Sequence, residues 1–141
     1  MKRWLVMAAI AGPMLLGAAV FARTVSAGPF WTTVVYWAAG FVCHQRPDRS
    51  FFSYGVQWPV CGRCAGLYLA APFGAVAAFA LRRRARLERA TTWLAVAAAP
   101  TLASWFAEHL AGVPQINLTR AALAVPLGAA IAYVLVRAVP D

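Results

Sequence analysis

Charge is what this chain has least of. Only 12% of its 141 residues are Asp, Glu, Lys or Arg, against 62% hydrophobic, and the mean hydropathy is +0.66. That balance excludes an ordinary water-facing globule and points to a bilayer. Acid is scarcer still, with four Asp and Glu against 13 Lys and Arg, for a net charge of +9. A basic surplus can mean nucleic acid, but these bases are not spread over a polar face. They sit in the gaps between apolar runs, where arginine meets lipid headgroups and sets topology, so we expect no nucleic-acid partner. Repeats and low-complexity tails are missing too, and the length fits a single integral-membrane domain over 1–141. Histidine numbers two and cysteine three.

The apolar runs are Trp4–Ala22, Phe30–Val42, Ala65–Leu81, Thr91–Leu110 and Ala121–Val136. A span needs about 20 residues and about 17 can suffice. The first, third and fourth qualify, and the fifth does with help from its flanks. The second is too short to cross alone; it reads as a half-helix or interfacial segment, with Trp31, Tyr36 and Trp37 at headgroup depth. The expected fold is all-α: a polytopic bundle of four spanning helices plus a short half-helix, or else five spans. Pro13, Pro72, Pro100 and Pro126 fall inside runs, as membrane helices tolerate. Gly62 and Gly66, four apart, let a neighbouring backbone approach. Met1-Lys2-Arg3, the first run and Val25-Ser26-Ala27 also resemble a secretory signal, although the run is long for one, and we read it as a retained anchor.

Arg82, Arg83, Arg84, Arg86 and Arg89 form the densest basic run, so the 82–89 loop is expected to be cytoplasmic. If the third run spans, the segment before it faces outward. With a non-spanning second run, Lys2 and Arg3 also stay inside.

That outward segment is the polar loop 43–64, which holds every cysteine and one of the two histidines. Cys61-x-x-Cys64 is a knuckle that aims both sulfurs at one point, the spacing of tetrahedral zinc sites and of redox pairs. Cys43 and His44 complete a Cys3His ligand set, with zinc as the default ion. Adjacent residues seldom ligate one ion together, so one of these two can instead orient the other. The alternative is a membrane thiol oxidoreductase that exchanges electrons between Cys61–Cys64 and a quinone or a partner thiol. Arg63 and the start of the following helix would lower the Cys64 pKa. Such enzymes carry a second cysteine pair, and only Cys43 is left over. Two further readings are a structural disulfide with a buried third cysteine, and an accessory subunit packed against membrane-protein partners.

Arg46, Arg49 and Arg63 accompany the thiols, with Asp48 as the only local acid. Surplus guanidinium at a membrane mouth binds an anion or snorkels to headgroups. Glu108 is flanked by Phe106, Ala107 and Leu110, where an unpaired carboxylate is costly. We expect it to form an ion pair with Arg120, with Asn117 holding its second oxygen. His109 beside it is a fifth ligand candidate or an interface residue, and we read it as the latter.

The string Cys43-His44-Gln45, Arg49-Ser50-Phe51-Phe52, Gly55, Gln57, Pro59-Val60-Cys61-x-Arg63-Cys64-x-Gly66-x-Tyr68 resembles the signature of an uncharacterised prokaryotic membrane-protein family, domain of unknown function 2085. Asn117-x-x-Arg120 is a weaker echo, at the head of the last helix. Where that family often has Asp-Gly, this chain has Ser104-Trp105. The resemblance implies a compact helical protein of the prokaryotic cytoplasmic membrane, with Cys43, His44, Cys61 and Cys64 gathered at one place. It adds Gln45, Arg49, Arg63, Tyr68, Asn117 and Arg120 to the same constellation and implies no particular reaction.

Overall fold

The computed structural model describes residues 2–24, 30–80 and 89–139. The chain order is α1 (Lys2–Thr24), α2 (Phe30–Gly40), a 3-10 turn (Pro47–Arg49), β1 (Ser50–Ser53), β2 (Val56–Cys61), α3 (Gly62–Ala80), α4 (Ala90–His109) and α5 (Asn117–Ala138). Among the described residues three helices, α1, α3 and α5, are long and apolar enough to cross a membrane. At 11 residues, α2 spans about 16 Å, roughly half of a bilayer's hydrocarbon. The third apolar run begins earlier than its hydropathy indicates, because Gly62 already has helical conformation directly after the strand. Arg82, Arg83, Arg84, Arg86 and the Val25-Ser26-Ala27 segment lie outside the described residues.

The expectation of an all-α fold needs correcting at the cysteine loop, which contains an antiparallel β-hairpin. Tyr54 and Gly55 both have positive φ, 51° and 78°, the two-residue turn whose twist suits paired strands. Ser53 pairs with Val56 and Phe52 with Gln57, but Ser50 then pairs with Cys61. The register shift leaves Pro59 and Val60 as extra residues on β2, where proline's missing N–H breaks the ladder. Both are buried in full and act as the hairpin's anchor. An apolar run of 2-period pattern is short here, and turn chemistry rather than hydropathy makes the strands.

Helices α3 and α5 form the centre of the bundle through small residues. Gly62, Gly66, Ala70, Gly74 and Ala78 on α3 are buried at intervals of four, as are Ala124, Gly128 and Ala132 on α5. A Cβ at Gly66 would collide with the Ala121 backbone, and one at Gly74 with that of Ala129. Backbones this close replace the hydrophobic drive, which lipid does not supply, with van der Waals contact. Helix α1 runs antiparallel to α3: Leu5 and Val6 pack near Ala75 and Ala78, and Leu16 packs near Ala65. Helix α4 lies on α5, where the Thr101 hydroxyl donates to the Leu123 carbonyl at 2.8 Å. Trp4, Phe21, Phe73, Trp93 and Phe106 point outward, as lipid-facing side chains do. The ends of α1 and α2 and the starts of α3 and α5 meet at the hairpin, and the end of α4 reaches the 3-10 turn beside it.

Candidate metal centre

Cys43 closes the α2 end, where its backbone N–H donates to the Ala39 carbonyl at 2.9 Å. Cys61 is the last residue of β2, and Cys64 sits in the first turn of α3. The strand-to-helix junction therefore points both knuckle sulfurs back at Cys43. All three sulfurs lie within 4.8 Å of one another, with Cys61 Sγ and Cys64 Sγ 3.5 Å apart. The cysteines are free thiols, and 3.5 Å is far from the 2.05 Å of a disulfide bond. Sulfurs sharing a tetrahedral zinc at about 2.3 Å stand roughly 3.8 Å apart, so the spacing fits one ion. The Cys61 backbone N–H donates to Cys43 Sγ at 3.1 Å. The hydrogen bond from the Cys64 thiol pulls the Cys61 pKa down to about 5; burial opposes this and the N–H groups of Cys64 and Arg63 assist. Cys43 is buried beside Val60 and Ala65, and Tyr68 packs against this cluster.

His44 is exposed and stands outside the three-sulfur group, on the wall of an adjoining cavity of about 360 Å³. The next residue, Gln45, turns the other way. At φ 49° it donates from Nε2 to the Tyr36 and Pro59 carbonyls, at 2.6 and 2.9 Å, while its own carbonyl accepts from Gln57. Gln45 and Gln57 thus fasten α2 to the hairpin rather than facing the sulfurs. Arg46 is exposed and pairs with Asp48 at 3.1 Å.

Glu108, at the last turn of α4, ties together three of the arginines that line this cavity. Its Oε1 accepts from Arg120 Nη2 at 2.6 Å and its Oε2 from Arg63 Nη2 at 2.7 Å. Arg49 Nη2 approaches Oε1 at 3.6 Å. The expectation for Asn117 is corrected: Arg63 occupies the second carboxylate oxygen. Asn117 instead accepts from Arg120 Nη1 at 2.7 Å through Oδ1 and donates to the Ser50 carbonyl at 2.8 Å through Nδ2. It is a strut between α5 and β1. His109 stacks on Trp105, with ring centroids 4.5 Å apart, and stands outside the three-sulfur group.

Two serines were not anticipated. Ser104, four residues before Glu108 and so on the same helix face, accepts from Arg63 Nη2 at 3.1 Å. Its place in an apolar helix one turn from the lone acid was the available signal. Ser50, fully buried, links the Arg46 carbonyl, Gln57 and Asn117, and only the pairing of β1 could reveal that.

Comparison with known proteins matches residues 43–134, well over half of the chain and starting at Cys43, to the family described as "Predicted membrane protein (DUF2085)". This chain belongs to that family. It is also similar to uncharacterized proteins of two archaea. The identity is 43% over 42 residues with one from Methanocaldococcus jannaschii, covering 28% of this chain and 27% of the relative. It is 48% over 31 residues with one from Methanothermobacter thermautotrophicus, covering 22% of this chain and 28% of the relative. The chain thus spans just over a quarter of each relative it matches. No solved structure matches.

Proposed function

We propose that this DUF2085 protein carries a structural or binding metal centre on the outer face of a prokaryotic cytoplasmic membrane. Cys43, Cys61 and Cys64 hold one zinc-like ion. The fourth position opens on the cavity, where His44 is the available protein ligand. The observation that carries this reading is three free sulfurs within 4.8 Å, presented by three separate elements around one point. Thiolates gathered that closely repel one another unless a proton or a cation lies between them.

In the proposed layout α4 also crosses, giving four spans with α2 as the half-helix at the outer interface. Its 20 residues are long enough, and it lies along α5 with its last turn at the site. Arg3, Arg89 and Arg137 then collect at the end remote from the thiols, which supports a cytoplasmic 82–89 loop.

Elemental analysis of protein purified in detergent without chelator tests the ion. We expect about one equivalent of transition metal, and less than about 0.2 would count against the centre, given how tightly thiolates hold zinc. The alternative reading is a thiol oxidoreductase. In it the two thiols become a disulfide and pass two electrons and two protons to a quinone. A Cys61–Cys64 pair that cycles with a measurable potential in metal-free protein would select that reading. An accessory-subunit role would instead appear as partners co-purifying at fixed stoichiometry.

A further inference from the structure

The cavity beside the sulfurs has more positive charge than its carboxylates neutralise. Arg46, Arg49, Arg63 and Arg120 line it, and the carboxylates within reach of them are Asp48 and Glu108. Four guanidiniums against two carboxylates leave a surplus of two. A zinc tris-thiolate would carry one negative charge, so a net positive charge survives even with the ion in place. The charge is also withdrawn from water: side-chain exposure is 9% for Arg120 and 15% for Arg63.

Their hydrogen-bonding capacity is only partly used. Glu108 takes one Nη from each of Arg63 and Arg120, yet Nε of Arg49, Arg63 and Arg120 is buried with no hydrogen-bonded partner among the described residues. Arg49 Nε lies 3.5 Å from Asp48 Oδ2 but outside hydrogen-bond geometry. Those Nε groups are closed off from water and so from the open cavity; what the cavity offers an oxyanion is the surplus guanidinium charge of the residues that line it. Arginine's planar fork suits the tetrahedral oxygens of phosphate. At about 360 Å³ the cavity holds such a group with room to spare. Exposed His44 and Arg46 on its wall mark the opening, and exposed Phe41, Val42 and Trp105 set that opening among apolar side chains suited to headgroup depth.

We propose that this cavity is a phosphate-type oxyanion site, filled by a free phosphate group or by the headgroup phosphate of an anionic lipid. The site needs the arginines and not the ion, so it stands or falls separately from the metal centre.

The test is made on the full chain in detergent. Inorganic phosphate is titrated by calorimetry, and phosphatidylglycerol retained by the protein is counted by native mass spectrometry. Metal content is measured on the same samples. Arg49→Gln is the informative variant, because its 3.6 Å contact with Glu108 is the longest of the three and its loss leaves the Arg63 and Arg120 hydrogen bonds in place. Saturable phosphate binding, weakened tenfold or more by Arg49→Gln and recovered in part by Arg49→Lys, supports a soluble oxyanion. Retained phosphatidylglycerol that Arg49→Gln removes, without phosphate binding, supports the lipid source. Neither ligand binding to folded protein, or binding indifferent to Arg49→Gln, overturns the proposal. A chelator-stripped sample that loses metal but keeps the oxyanion separates this result from the fate of the metal centre.

Discussion

Glu108 carries the heaviest demand of any single side chain. It is the counter-charge for two buried arginines, Arg63 and Arg120, and its own side chain is only 10% exposed. Removing one partner of a buried pair costs about 3–5 kcal/mol, because the charges left behind cannot reach water. Glu108→Gln should therefore lower the unfolding midpoint in detergent sharply, whereas Asp48→Asn, in an exposed pair, should shift it by less than about 1 kcal/mol. Equal midpoints for the two variants would refute the hub role. At the thiols, alkylation has a signed pH dependence. Only the thiolate reacts, and a free cysteine titrates near about 8.5. With Cys61 held at about 5, the first proton of the Cys61–Cys64 pair is lost well below neutrality. In metal-free protein, iodoacetamide should modify Cys61 with a rate that climbs through about pH 5 and is flat by pH 7. A rate still rising through about pH 8.5 would show an ordinary thiol.

At the scale of elements, the contact between α3 and α5 decides where Cys64 and Arg63 stand relative to Arg120. Gly66 lies two residues beyond Cys64, and a Cβ there meets the Ala121 backbone rather than a movable side chain. Gly66→Ala must push the helices apart, at a cost of about 1–3 kcal/mol. We expect a lower midpoint together with a lower metal content, since α3 carries one of the three clustered cysteines. Gly12→Ala and Gly17→Ala on α1 have open space around the new Cβ and should be neutral or slightly stabilising, as alanine is the better helix former. The hairpin is the other positioning element. Its Tyr54-Gly55 turn and its Pro59-Val60 irregularity carry Cys61 from an extended strand straight into the helix that holds Cys64.

For the molecule as a whole, the bundle has one polar, reactive end and one basic end. The thiols and the Glu108 network gather where α1, α2 and α4 finish, and Ala90 and Arg137 share a cavity at the other end. In right-side-out cells treated with a chelator, a membrane-impermeant maleimide should label Cys61 from outside. A cysteine introduced at Arg89, in a variant lacking the native three, should be labelled only after permeabilisation. The reverse pattern would invert the orientation and place the centre in the cytoplasm.

Composition alone determined that this chain belongs in a membrane, because 12% charge cannot clothe an aqueous globule of this size. Spacing alone marked the loop 43–64, since soft ligands and arginines are improbable filler between apolar runs. That α2 is short was legible from length, and the Glu108 environment from the cost of an unpaired acid. Tertiary structure decided the rest. The β-hairpin was hidden because its strands are short and its register is set by a turn and by Pro59, which hydropathy does not register. Asn117 looked like a ligand of Glu108 from its place one turn before Arg120, yet Arg63, 45 residues from Glu108 in sequence, takes that oxygen. His44 adjoins Cys43 in sequence but stands outside the group of three sulfurs and lines the cavity beside them. Local chemistry is written in the order of residues. Which donor reaches which acceptor depends on the crossing of α3, α4 and α5, a property of packing that no single segment carries.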